Sequence, residues 1–149
     1  MKIHYCNNYD QMSQRACDSV ISDLKIRSKQ FICIATGNSP EGTYNKLGNI
    51  YKIQPDYFKE LSIIKLDEWG GINANDTNSC ETYIRHKILQ PLHISNDRFI
   101  SFKSITASPE KECERIQKEI DDKGPIDICI LGLGKNGHIG FNEPADSLS

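Results

Sequence analysis

The chain has 149 residues, 38% hydrophobic and 26% charged, with a formal net charge of -2 at pH 7. Such a balance suits one folded domain with a buried core and excludes the basic surface that nucleic acid or an anionic membrane attracts. No apolar run approaches the roughly 20 residues needed to cross a bilayer, and Met1–Tyr5 lacks the apolar stretch of a signal peptide. The expectation is a cytoplasmic protein with neither a membrane nor a nucleic-acid partner.

Along the chain, Ile3–Cys6 is a candidate opening strand. From Tyr9 to Ile26, apolar groups at Met12, Ala16, Val20, Ile21 and Leu24 recur with helical spacing. Phe31–Ala35 is a continuous apolar run of strand length, the pattern of a strand covered on both faces. Thr36-Gly37-Asn38-Ser39-Pro40 breaks that strand. Ser39 as N-cap, with Pro40 at the first helical position, predicts a helix through about Leu47. Leu61–Leu66 is the next strand, ending at Asp67, and a Gly- and Asn-rich loop runs from Trp69 to Asn78. A helix from Ser79 ends before Pro91, and Phe99–Phe102 forms a short strand. Ser108-Pro109-Glu110 opens a helix with acids in its first turn, reaching about Asp121. Lys123-Gly124-Pro125 stops it, and Ile126–Leu131 is a further buried strand.

Alternating strands and helices predict an α/β fold with a mostly parallel sheet and helices on both faces. Ligands bind beyond the carboxyl ends of the strands in such sheets. The unusual segments 36–43, 67–71 and 132–143 all follow strands, which points to one shared site. The chain stops at Ser149, directly after a glycine-rich loop. A fold truncated at its C-terminus is therefore expected, the alternative being an unusually bare terminus.

Six cysteines, at positions 6, 17, 33, 80, 113 and 129, form no C-x-x-C pair and no zinc-like cluster with histidine. Reduced structural thiols are expected, with Cys33 and Cys129 acting as small hydrophobes inside their strands.

Gly132-Leu133-Gly134-Lys135-Asn136-Gly137 is literally G-x-G-x-x-G after a strand. Its acidic partner about 20 residues on would fall beyond Ser149, and Pro144 opposes a long helix from the third glycine. A dinucleotide site is not expected. His138 in the same loop, with Glu143 five residues on, offers an imidazole and a carboxylate for proton transfer; a merely solvated histidine is the alternative. Asp67 and Glu68 close a strand and point to different sides of an extended chain. One could be a partly desolvated general base; a solvated turn or capping acid is the plainer reading. Thr36-Gly37-Asn38-Ser39 suits an anion at a helix N-terminus, and an ordinary strand-to-helix turn is its alternative.

Taken together, 34-IATGNSP-40 with Thr43-Tyr44, 65-KLDEW-69 and 131-LGLGKNGHIGFNEP-144 resemble the glucosamine-6-phosphate deaminase family, and within it the galactosamine-6-phosphate deaminase/isomerase branch. Cys80-Glu81-Thr82, Gln90-Pro91-Leu92, Ile100-Ser101-Phe102 and Cys113-Glu114-Arg115 resemble that branch too. The resemblance spans nearly the whole chain. It implies a Rossmann-like fold, with residues 1–149 the N-terminal part of a single domain. It also implies ring opening, aldose-to-ketose isomerisation and deamination of an aminohexose 6-phosphate. Galactosamine 6-phosphate giving tagatose 6-phosphate and ammonia is the leading expectation. A glucosamine-6-phosphate deaminase forming fructose 6-phosphate is its rival, and a truncated sugar-phosphate-binding domain without turnover is the alternative from another class.

By that resemblance Asp67 is the base moving a proton between C2 and C1, and His138, oriented by Glu143, assists ring opening. Thr36, Gly37, Asn38 and Ser39 match the phosphate-binding turn. Asn136 stands where glucosamine enzymes carry aspartate, which favours the galactosamine branch. Asp146 replaces a serine of an allosteric phosphate site, so that regulation is not expected. No metal or organic cofactor is implied, and a homo-oligomer is compatible with the resemblance. Family members supply further basic phosphate ligands beyond position 149, so weak or no activity is expected of these residues alone.

Overall fold

A computed structural model describes residues 2–142. Its centre is a four-stranded, wholly parallel sheet of β1 (Phe31–Ile34), β2 (Ser62–Lys65), β3 (Phe99–Ile100) and β4 (Ile128–Ile130), in the order β3-β2-β1-β4. The helices are α1 (Tyr9–Ile26), α2 (Asn38–Tyr51), α3 (Cys80–Ile84), which runs on as a π-helical turn over Arg85–Leu89, and α4 (Pro109–Lys123). Strand order thus moves outward from β1 to β3, then returns to the other side of β1. This reversal opens a crevice between the carboxyl ends of β1 and β4, where open α/β sheets hold ligands.

Period-two alternation along the strands builds two cores. Ile32, Ile34, Ile63 and Phe99 pack with Leu24 of α1, Tyr44 and Leu47 of α2, Ile84 of α3 and Ile88 of the π turn. Phe31, Cys33, Ile64 and Ile100 face the other way and pack with Ile116 of α4. The continuous apolar run at 31–34 is buried at every residue, as a strand sandwiched between helix layers must be.

Several sequence expectations need correction. Ile3–Cys6 forms no strand; it lies ahead of α1 with Tyr5 92% exposed, outside the sheet that could supply a ladder. The buried face of α1 is Ser13, Cys17, Val20, Ile21 and Leu24, and Met12 is exposed. This face is turned by the close approach of α2. A Cβ on Gly42 would lie 2.9 Å from Ser13 Cβ and 2.9 Å from Tyr9 Cε1. Gly42→Ala is therefore expected to destabilise the fold by about 1–3 kcal/mol through overpacking, read as a lower urea midpoint at unchanged slope.

Ser39 is not the N-cap of α2. Gly37 holds that position at φ +108°, a conformation side chains rarely adopt, and the helix continues to Tyr51. Pro40 falls inside the first turn, where its missing N–H leaves no bond unmade. β3 is two residues long, shorter than the expected 99–102. β4 is only partly covered, and Cys129 is exposed although Cys33 is buried beside it. The reason is that the core under α4 is drawn from β1, β2 and β3, so this face of β4 has no helix over it among the described residues. All six cysteines are free thiols. No helix among the described residues is long and apolar enough to cross a membrane.

Candidate active site

Crossover geometry brings the three strand-end segments together. A cavity of about 380 Å³, within the size range of small-molecule sites, is lined by Ala35–Ser39 after β1, by Asp67 and Trp69 after β2, and by Gly132–Gly134, His138, Gly140 and Phe141 after β4. The expected residues Thr36, Gly37, Asn38, Ser39, Asp67 and His138 all share this cavity. Asn136 does not line it but contacts the His138 ring. Glu143 lies outside the described residues.

The first segment is braced from behind by tyrosines. Tyr44 Oη donates to the Ala35 carbonyl at 2.6 Å, Tyr83 Oη to that of Gly37 at 2.8 Å, and Tyr9 Oη to that of Asn38 at 2.5 Å. With these carbonyls tied to the protein and α2 beginning at Asn38, the turn offers amide N–H groups and the positive end of a helix dipole. That combination suits an anion. Nothing in the sequence tied these tyrosines to the turn, since two of them lie on other helices.

Asp67 and Glu68 separate as alternation requires. Asp67 faces the cavity half-buried, and its pKa is raised above the ordinary 3.8 by desolvation first and the Glu68 charge second, with Lys65 opposing. Cys80 sits against it, Sγ 4.0 Å from Asp67 Oδ1 and 3.6 Å from Thr36 Oγ1. Burial pushes that thiol up to about 11, so it stays protonated at neutral pH. Glu68 instead turns inward. It accepts from the backbone N–H of Cys80 and Glu81, both at 2.9 Å, and pairs with the buried Lys65 Nζ at 2.7 Å. Lys65 also meets Glu81 at 3.3 Å, and Glu81 continues to Arg85 at 2.7 Å and accepts from Ser101. Burial alone would raise the Glu68 pKa, but the hydrogen bonds from Lys65, Cys80, Glu81 and Trp69 outweigh it and hold the carboxyl at about 2.

That depression makes a stability prediction. Glu68 titrates near 4.5 when unfolded and about 2 when folded, so its contribution is complete above the unfolded value. It disappears as pH falls from about 4.5 through about 2. Urea midpoints measured across that window should decline, and decline less in Glu68→Gln.

After β4 the glycine loop folds back on itself. Gly134 N–H donates to the His138 carbonyl at 2.9 Å, Gly137 N–H to that of Gly134 at 2.9 Å, and Ile139 bridges both Leu133 and Asn142. No helix starts at the third glycine among the described residues, so the loop does not present a helix N-terminus to a dinucleotide pyrophosphate. It presents His138 instead. His138 Nδ1 lies 2.6 Å from Asn136 Oδ1. An amide oxygen only accepts, so in the neutral ring this contact places the proton on Nδ1 and the lone pair on Nε2. The described residues contain no cluster of His, Cys, Asp and Glu able to hold a metal ion.

Comparison with known proteins places the sequence and the fold in one family. Residues 7–140 match the family model described as glucosamine-6-phosphate isomerases/6-phosphogluconolactonase. An Escherichia coli (strain K12) protein named "Putative deaminase AgaI" is 42% identical over 142 residues, covering 95% of this chain and 56% of that protein. Glucosamine-6-phosphate deaminase 1 of Bacillus subtilis (strain 168) is 33% identical, covering 99% of this chain and 61% of its own length. The solved structure of a monomeric glucosamine-6-phosphate deaminase superposes with a TM-score of 0.89 at 33% identity, over 99% of this chain and 61% of that one. A 6-phosphogluconolactonase from Thermotoga maritima shares the fold, with a TM-score of 0.74 at 19% identity over 94% of this chain and 62% of that one. The chain spans about three fifths of the length of these relatives.

Proposed function

Because the chain belongs to the glucosamine-6-phosphate isomerase/6-phosphogluconolactonase family, we propose that its cavity is the catalytic half-site of an aminohexose-6-phosphate deaminase/isomerase, with galactosamine 6-phosphate as substrate. The observation that carries this reading is the placement of Asp67. It is the one carboxylate of the Asp67-Glu68 pair that lines the cavity, and the Thr36–Ser39 turn and the His138 imidazole line the same cavity.

In this reading the substrate phosphate occupies the Thr36–Ser39 turn. His138 Nε2 takes the anomeric hydroxyl proton, the C1–O5 bond breaks as the C1 carbonyl forms, and the imidazolium returns that proton to the ring oxygen. Asp67 removes the proton from C2 of the open-chain aldehyde while the C1 oxygen takes one from the substrate's ammonium group, giving an enolamine. Asp67 then delivers its proton to C1. The C2 iminium that results is hydrolysed by water to the ketone and ammonia. A half-buried carboxylate with a raised pKa is a stronger base than a solvated one and suits this task. Asn136, holding Nδ1, supports the galactosamine assignment by its place in the Lys-Asn-Gly-His sequence.

Ammonia release by the full-length protein is the test, with galactosamine 6-phosphate, glucosamine 6-phosphate and 6-phosphogluconolactone offered separately. The galactosamine isomer should react fastest. Faster turnover of the glucosamine isomer would reassign the substrate, and lactone hydrolysis without ammonia from either sugar would refute the reading. Gly134→Ala gives an independent check. Its Cβ would fall on the His138 ring, 2.8 Å from Nε2. Displacing the imidazole by even an ångström is expected to lower kcat/KM roughly 100-fold, with the thermal midpoint far less affected.

A further inference from the structure

One wall of the cavity has no part in the chemistry above. The Trp69 indole and the Phe141 ring lie with centroids 4.6 Å apart at a tilt of 33°, and both line the cavity. Trp69 is 55% exposed and Phe141 52% exposed. Rings of this size bring stability chiefly by burial, and here a pair is held half in solvent at the mouth of a site. The pair also joins segments that are distant in sequence. Trp69 stands two residues after Asp67 and Phe141 three after His138. Asp67, His138 and both rings line the same cavity, so an occupant of it has the aromatic pair as one of its walls.

Resting on the function proposed above, we propose that Trp69 and Phe141 are specificity-determining residues: the sugar ring stacks its C–H face on them, and they favour the galacto configuration. The chemistry lies in the C4 hydroxyl. When it is axial, the C3, C4 and C5 hydrogens share one face of the pyranose and form a continuous apolar patch. When it is equatorial, the C4 hydrogen moves to the opposite face and the patch is broken. Aromatic faces carry negative charge density and accept such weakly positive C–H groups. With the phosphate in the turn at one end, the aromatic wall meets the ring between phosphate and reacting carbons, and distinguishes epimers that the turn cannot tell apart.

The test uses the full-length protein and the ratio of kcat/KM for galactosamine 6-phosphate to that for glucosamine 6-phosphate. Trp69→Leu and Phe141→Leu should each lower the ratio roughly 10-fold, the scale of one apolar contact in a binding pocket. The loss should fall mainly on KM for the galacto isomer, and Trp69→Phe should restore much of it. A structural role alone would lower both substrates together and leave the ratio unchanged.

Trp69 is the single tryptophan in these 149 residues, which gives a readout independent of turnover. In Asp67→Asn, the Trp69 emission, taken as the difference from a matched Trp69→Phe protein, should shift at lower concentrations of galactosamine 6-phosphate than of glucosamine 6-phosphate. Ratios unchanged in both leucine variants, a glucosamine preference in the unsubstituted protein, or emission indifferent to saturating sugar phosphate would each overturn the inference. Absence of ammonia from either sugar would instead strike the functional reading, and the emission measurement keeps the two failures distinguishable.

Discussion

Asp67→Asn in the full-length protein is expected to lower kcat for ammonia release about a thousandfold, within the range a positioned general base supplies, with KM for the aminosugar phosphate nearly unchanged. The split follows from the geometry. The amide keeps the shape of the carboxylate and leaves the Thr36–Ser39 turn untouched, so ground-state binding persists, but it cannot take a proton from C2. Steady-state kinetics with circular dichroism as a folding control would check it. The pH profile adds a sign. The base works deprotonated, and desolvation raises its pKa above the ordinary 3.8. The acid limb of kcat/KM should therefore lie above that value, with the rate falling as pH falls through it. Retention of full activity by Asp67→Asn would remove the proposed base.

Lys65→Met should produce the largest loss of stability in the fold, about 3–5 kcal/mol. Lys65 is 1% exposed at the end of β2, between Glu68 at 2.7 Å and Glu81 at 3.3 Å. Methionine keeps most of the apolar stem but removes the charge both buried carboxylates share. Glu81 is left to Arg85 and Ser101, and Glu68 to backbone N–H groups. Losing one partner of a buried ion cluster is costly. Removing the charges together should cost far less, so Lys65→Met/Glu68→Gln/Glu81→Gln is expected to recover much of the loss in urea unfolding. A second effect separates this cluster from ordinary packing. Lys65 lowers the Asp67 pKa, so the acid limb of Lys65→Met should move to higher pH. A stability change under 1 kcal/mol on Lys65→Met would contradict the buried-cluster account.

The contrast between Lys65 and Asp67 shows what the residues alone could convey. α1 and the strands β1 and β2 were legible because long periodic or continuous apolar runs have few competing structures. The convergence of segments 36–39, 67–69 and 132–138 was legible from their places after strands. Lys65 was not, because nothing local to a lysine near the end of an apolar run marks it as buried, and its partner Glu81 lies 16 positions away on α3. Gly37 as the cap of α2 was hidden behind the stronger Ser39-Pro40 signal; a glycine at positive φ carries no side chain to advertise itself. The tyrosine bracing and the approach of Cys80 to Asp67 depend on tertiary contacts that no local pattern encodes. The family resemblance supplied a role for Asp67 that spacing could not, since a strand-end acid is ordinarily a capping or solvated group.

The most direct test of the central claim follows ammonia and ketose 6-phosphate together, using full-length protein and galactosamine 6-phosphate deuterated at C2. Proton transfer from C2 to C1 before loss of nitrogen predicts equimolar ammonia and tagatose 6-phosphate. It also predicts a primary isotope effect on both and an Asp67→Asn variant that forms neither at a comparable rate. Ammonia released without ketose, or release at equal rates in Asp67→Asn and the unsubstituted protein, would contradict it.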